Sequence, residues 1–204
     1  MAEPIAVVRR PVDPPREAYR AKRGLDLLLV VLSIPVVVPV SLVLLAAVSV
    51  SGPPLYVQLR VGEQGHPFRM LKFRSMIVDA EADGPTLADV DDVRVTRVGR
   101  VLRRFRLDEL PQLWNVVRGE MTLVGPRPER PEFIADLSRL PGYEQRESMR
   151  PGLTGVAQLT CGYYASNEEK LLCDLEYFAT RSLATDLRLL ARTVVAMLRG
   201  FPNG

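Results

Sequence analysis

The sequence predicts an α+β, mainly helical fold attached to a membrane from one side. Three observations carry this expectation. A 26-residue apolar segment, Leu25 to Val50, is interrupted by Pro35 and Pro39. Two short alternating runs flank a Gly-rich turn, as in a β-hairpin. Arg-rich stretches with apolar residues at helical spacing follow. At 204 residues the chain suits one domain. The expected division is a flexible arm at 1–20 and a single domain at 21–204 that includes the apolar segment.

The arm, with Pro4, Pro11, Pro14 and Pro15, reads as a flexible cytoplasmic extension. The apolar segment is too long and starts too late for a cleaved signal peptide, so it is expected in the mature protein. As a straight helix it would run about 39 Å against a hydrocarbon core of roughly 30 Å. Length alone therefore permits a crossing. Charge argues otherwise, because Arg16, Arg20, Lys22 and Arg23 precede the segment and Arg60, Arg69, Lys72 and Arg74 follow it. Both flanks look cytoplasmic, which a single span cannot satisfy. Pro39 leaves the carbonyl of Pro35 without its helical donor, and Pro35 does the same to Val31. Ser33 or Ser41 could supply hydroxyls at a bend. The expectation is a re-entrant helix–break–helix over 25–50, broken at Pro35 and Pro39, with a kinked single span as the alternative.

After Gly52-Pro53-Pro54, runs at Leu55 to Val61 and Phe68 to Phe73 read as the hairpin. Lys72 and Arg74 share one face of the second run. "DAEADGPTLADVDD" reads as a mobile acidic loop with no chemistry assigned. From Val93 a helix is expected, with Val98, Val101, Leu102 and Phe105 opposite Arg97, Arg100, Arg103 and Arg104. A second amphipathic helix is expected over 185–199, with Leu187, Leu190, Val194 and Leu198 as its apolar stripe and Gly200 ending it.

The net charge is only +3, but basic and acidic runs are segregated, which suggests an anionic partner. Cys161 and Cys173 form no CxxC and are read as reduced thiols in a cytosolic compartment, with a disulfide between them as the weaker alternative. His66 is the single histidine, which excludes a multi-histidine metal site. A metal would be held by carboxylates and substrate oxygens, which points to magnesium.

The densest signal is "RLDELPQLWNVVRGEMTLVGPRPERPEF", Arg106 to Phe133. Adjacent acids Asp108 and Glu109 point in different directions on a helix, so one can hold a metal while the other attacks. That division suits phosphoryl transfer through a covalent carboxylate. Standing alone, the pair reads first as acids favouring a helix start. In "GPRP", Pro126 and Pro128 restrict the backbone around Arg127 and present its guanidinium to a phosphate with little entropy left to lose. "RPGLTG", from Arg150, adds an Arg and two permissive glycines.

"KRGLDLLL", "KFRSM", "LDELPQLWNVVRGEMTLVGPRPERPEF", "RPGLTGVAQL" and "DLEYF" together resemble the bacterial sugar transferase family, the monotopic polyprenyl-phosphate phosphoglycosyl transferases. The likeness runs from about Lys22 to Arg199. It implies transfer of a sugar-1-phosphate from a UDP-sugar to undecaprenyl phosphate, with release of UMP, at the cytoplasmic face of the bacterial inner membrane, starting a surface glycan. It implies Asp108 as nucleophile, Glu109 as magnesium ligand, Arg127 as nucleotide grip, Lys72, Arg74 and Arg150 as phosphate contacts, and Asp174 in support. The family breaks its membrane helix at a Ser-Pro pair, where this chain has Val38-Pro39.

Direct transfer with Asp108 as general base is the mechanistic rival. A catalytically silent membrane scaffold for glycan assembly is the rival function. A nucleic-acid module is disfavoured, since it leaves the apolar segment unexplained. The amphipathic helices permit a homodimer. "PRPERPEF" resembles hexose-1-phosphate transferases more than those for acetamido sugars, and the sugar itself is not legible.

Overall fold

The computed structural model describes residues 16–50, 52–82, 84, 92–161 and 165–201. Most of the expected arm lies outside these residues. From Arg16 the chain is already helical.

Helix α1, Arg16–Ser49, runs as one element through Pro35 and Pro39. It is long and apolar enough to cross a membrane. Ser33 Oγ donates to the carbonyl of Val30 at 2.7 Å, one residue before the acceptor freed by Pro35. Both ends of α1 dock on the same body. Near its start, Arg23 donates to the carbonyls of Val116 (2.5 Å) and Val117 (2.9 Å), Lys22 pairs with Asp186 (2.5 Å), and Thr122 donates to Asp26. Near its end, Leu44 and Val48 pack with Phe73, Val98 and Leu102. Between them Val31, Leu32, Ile34, Val36, Val38, Leu42 and Val43 are exposed. An apolar arc that large, left uncovered by the protein, is a surface for lipid.

Strands β1, Leu55–Val61, and β2, Pro67–Phe73, form the expected hairpin, with Tyr56 opposite Lys72 and Arg60 opposite Phe68. Helix α2, Arg97–Arg104, starts four residues later than the apolar pattern predicts. Thr96 is extended and its side chain accepts from Gly99 N, a cap that sets the start. Helix α3 covers Gln112–Arg118, strand β3 Thr122–Val124, α4 Pro131–Leu137, α5 Tyr143–Glu147 and β4 Gly152–Thr154. Strands β3 and β4 pair in parallel, Thr122 with Gly152 and Val124 with Thr154. Helices α6, Val156–Thr160, α7, Asn167–Thr180, and α8, Leu183–Arg199, complete the described chain.

The main core joins Val30 of α1 to Phe68, Met70, Val116, Met121, Val124, Tyr177 and Leu189. Helix α8 carries the expected stripe on its outer side, except that Leu190 packs against the core. Asp186 and Leu189 face inward, whereas Leu187, Val194 and Leu198 are exposed, Leu198 by 78%. Its apolar face looks outward, as does the arc of α1. Cys161 and Cys173 also depart from the expectation of reduced thiols. They are joined by a disulfide, because α6 packs on α7 and brings together positions twelve apart.

Candidate active site

Asp108 and Glu109 lie in a single 3-10 turn, Leu107–Glu109, entered through Arg106 in a left-handed conformation (φ 54°). Leu107 and Leu110 sink into the small core formed with Val48, Phe73 and Leu102. The acids between these anchors face a cleft of about 1920 Å³. Small-ligand sites occupy roughly 300–1,000 Å³, so this cleft has room for two substrates.

Both acids are nearly inaccessible, yet their surroundings differ. Glu109 Oε1 meets Arg106 Nη1 at 3.1 Å, Arg127 Nη1 at 3.2 Å and Lys72 Nζ at 4.0 Å. Burial opposes its ionisation, but Arg106, Arg127 and Lys72 prevail and hold it down at about 2. Asp108 Oδ1 is buried with no hydrogen-bond partner. Burial, and then the charge of Glu109, push the Asp108 carboxyl upward. Glu109 is thus held firmly ionised, whereas Asp108 keeps one buried oxygen without a hydrogen-bond partner. Lys72 is lowered to about 8, first by burial and then by Arg127, with Glu109 and Asp108 opposing.

No cluster of three or more His, Cys, Asp or Glu capable of holding a metal exists among the described residues. A carboxylate pair with an unpaired buried oxygen nevertheless fits magnesium, which keeps several waters and takes substrate phosphate oxygens.

The position of Arg127 follows from its backbone. All three carbonyls of Pro126-Arg127-Pro128 accept hydrogen bonds, from Gly152 N (2.8 Å), Arg146 Nη2 (2.7 Å) and Arg60 Nη1 (3.0 Å). The prolines fix φ and the donors fix the rest. Close backbone contact makes this docking depend on glycine. A Cβ on Gly152 would meet Gly125 N at 2.1 Å, and one on Gly155 would meet Gly125 O at 2.2 Å. The "VGPRP" and "RPGLTG" motifs are therefore two halves of one joint.

Asp174 lies on the cleft lining, though only 2% exposed, and accepts from Arg146 Nε at 2.8 Å. Burial raises it to about 6 although Arg146 opposes the shift. From the same helix, Tyr177 donates to the carbonyl of Val124 at 3.2 Å. The "DLEYF" segment thus braces Pro-Arg-Pro from the rear.

Not every expected contact comes together. Lys72, Arg74 and Arg127 line the cleft with the two acids. Arg150 does not. It pairs with Glu63 at 2.8 Å on the hairpin turn, because Pro151 and Gly152 are committed to β3 and Pro126. Pro126 and Pro128 face a small hollow behind the loop, shared with Val61, Tyr143 and Met149.

Several residues escaped the sequence reading. Arg106 was visible as a basic residue beside the acids, and Arg60 as a position on the Lys72 face of the hairpin. Asn115 was not visible. Its side chain accepts from Leu71 N (3.1 Å) and donates to Arg69 O (2.7 Å), joining α3 to the strand that carries Lys72. The acidic loop, assigned no chemistry, contributes Glu81, which takes two hydrogen bonds from Arg130 (2.9 and 3.2 Å) and one from Tyr56 (3.3 Å) at the cleft.

A buried carboxylate pair ringed by cations, in a cleft beside an uncovered apolar helix, defines a membrane-associated site for anionic substrates. The chain belongs to the bacterial sugar transferase family, whose model matches residues 17–200. It is 43% identical over 204 residues to a UDP-glucose:undecaprenyl-phosphate glucose-1-phosphate transferase of Caulobacter vibrioides, covering 93% of this chain and 74% of that protein. It is 40% identical over 186 residues to a UDP-N-acetylgalactosamine-undecaprenyl-phosphate N-acetylgalactosaminephosphotransferase of Aeromonas hydrophila, covering 88% and 44%. An Escherichia coli UDP-glucose:undecaprenyl-phosphate glucose-1-phosphate transferase is 38% identical over 191 residues, covering 89% and 40%. The chain thus spans less than half the length of the last two.

Proposed function

We propose that this protein transfers a sugar-1-phosphate from a UDP-sugar to undecaprenyl phosphate, releasing UMP, and so initiates a surface glycan at the cytoplasmic face of the inner membrane. The observation that carries the reading is the pairing of Asp108, with its unpartnered buried oxygen, and Glu109, held ionised by three cations. Family membership and the relatives' activities support it.

In this reading an Asp108 oxygen attacks the β-phosphorus of the UDP-sugar. The bond from that phosphorus to the oxygen bridging the two phosphates breaks, and UMP leaves with the bridging oxygen. An oxygen of the lipid phosphate then attacks the same phosphorus and restores the carboxylate. Splitting the displacement keeps each step a single in-line substitution. Arg127 and Lys72 hold diphosphate oxygens, and Arg106 keeps Glu109 ionised. Glu109 would hold magnesium, which when bound would neutralise charge between the attacking carboxylate and the phosphates.

The same reading makes α1 a re-entrant element. The docking of both ends on one body supports placing them on one side of the membrane, with the exposed arc between them entering the near leaflet. Prolines inside an apolar helix favour such a bend. The relatives' names include glucose, galactose and N-acetylgalactosamine as the sugar.

Intact-protein mass spectrometry tests the proposal, using purified protein, magnesium and a panel of UDP-sugars, without lipid. A phosphosugar adduct on the wild type and none on Asp108→Asn is expected. UMP release that needs undecaprenyl phosphate, with no adduct, would replace the covalent step by direct transfer. No UMP release under either condition would overturn the activity.

A further inference from the structure

The cleft-facing side of α8 has no part in the reading above. Ala191, Arg192, Val195, Ala196 and Arg199 line the cleft, at spacings that place them on one helix face. The two arginines stand two turns apart, roughly 10 Å, with apolar side chains between. Both are exposed, and neither is hydrogen-bonded or ion-paired among the described residues. Unpaired cations facing a cleft call for an anion.

The location says which anion. Just beyond α8, Phe201 N donates to the carbonyl of Arg104 at 2.7 Å. The Phe201 ring lies 4.8 Å from the guanidinium of Arg106, the partner of Glu109. The Arg199 end of α8 therefore abuts the acidic turn. Helix α2 intervenes, and its Val98 and Leu102 pack against Leu44 and Val48 of the membrane helix. This end of the cleft is the one beside the apolar helix, and the outer side of α8 continues the apolar surface with Val194 and Leu198.

We propose that this face of α8 is the wall that binds the acceptor, an isoprenoid phosphate. Arg199 holds its phosphate beside Asp108, Arg192 adds to the attraction, and Val195 with Ala196 receives the first isoprene units. The alternation of cation and small apolar residue matches a ligand with a charged head and a branched hydrocarbon tail. Arg127 and Lys72, gathered on Glu109, are left to the nucleotide sugar. The inference rests on the transferase reading.

The test is steady-state kinetics of the full chain in lipid nanodiscs, with a UDP-sugar the wild type accepts. Arg199→Ala and Val195→Asp are expected to raise KM for undecaprenyl phosphate about tenfold, the size of one lost charge-assisted contact. KM for the UDP-sugar should stay within twofold, and Arg199→Lys should recover part of the loss. Farnesyl phosphate should inhibit the wild type more strongly than inorganic phosphate does, and that advantage should shrink in Val195→Asp. Both positions are exposed on the helix, and melting curves confirm folded variants, with Arg192→Ala as a further substitution. An unchanged KM for the lipid phosphate, or a rise confined to the UDP-sugar, would overturn the assignment of this wall. A wild type with no turnover on any UDP-sugar would instead overturn the transferase reading beneath it.

Discussion

Arg146 joins two residues that lie far apart in sequence. Its Nε donates to Asp174 Oδ2 at 2.8 Å, and its Nη2 donates to the carbonyl of Arg127 at 2.7 Å and to Glu129 at 2.9 Å. Asp174, itself on the cleft lining, thus holds Arg146 against the Pro-Arg-Pro loop. A carboxylate buried this deeply is tolerable because its partner is fixed on three sides.

Replacing Asp174 by Ala should cost about 3–5 kcal/mol of stability, since it leaves Arg146 buried without its partner. Asp174→Asn keeps the shape and one acceptor, and should cost less. Its activity should fall mainly through KM for the UDP-sugar as Arg127 loses its brace. Thermal melting and initial rates measure the two effects. A melting temperature unchanged in Asp174→Ala would contradict the bracing role.

Lys72 predicts an alkaline limb. Its ammonium is lowered to about 8, and the charged form is the one that attracts phosphate. The free enzyme therefore loses this cation as pH rises through about 8. The value of kcat/KM for the UDP-sugar should fall above that pH, approaching tenfold per unit. Arg stays protonated throughout this range, so Lys72→Arg should move the limb to higher pH. A limb unmoved in that variant would place its origin elsewhere.

Lys22 and Asp186 predict a stability effect at the base of the membrane helix. Asp186 is 3% exposed and also accepts from Tyr177 at 2.7 Å. Lys22→Ala strands that carboxylate and should cost roughly 3 kcal/mol. The double variant Lys22→Ala/Asp186→Ala should cost less than the sum of the single changes. Melting in detergent gives the coupling energy, and simple additivity would argue against a shared network.

The re-entrant reading of α1 predicts labelling from one side. Single cysteines at Ala21 and Val50, placed in a chain with Cys161→Ser and Cys173→Ser, should both react with an impermeant thiol reagent only from the cytoplasmic side of sealed vesicles. Reaction from opposite sides would make α1 a span. Pro35→Ala with Pro39→Ala removes about 3 kcal/mol of helix penalty per proline, and should shift the population toward the spanning form.

Much of this architecture was legible because its determinants are local. The hairpin appears as period-two alternation around a Gly-rich turn, with observed strand boundaries within one residue of those expected. The acid pair, the Pro-Arg-Pro segment and the two prolines of the apolar helix are short-range patterns, each with its own chemistry. What stayed hidden depends on which distant segments meet. Arg150 looked like a phosphate contact until the pairing of β3 with β4 turned its segment away from the cleft. The sequence of α8 did not show that Asp186 is drawn inward by Lys22 and Tyr177, nor that Leu190 packs on the core while Leu198 faces outward.

By itself, the sequence determined the kinds of chemistry present: a carboxylate pair, a rigidly held arginine and a long apolar helix interrupted by proline. Backbone periodicity and proline geometry act within a few residues and are written directly in the order of the side chains. Tertiary structure alone decided how differently the two carboxylates are set. Arg106, Lys72 and Arg127 reach Glu109 from three separate elements, while Asp108 is left buried with an unpaired oxygen. Charge and desolvation act through space, so two acids adjacent in the chain acquire opposite characters only when the fold has closed around them.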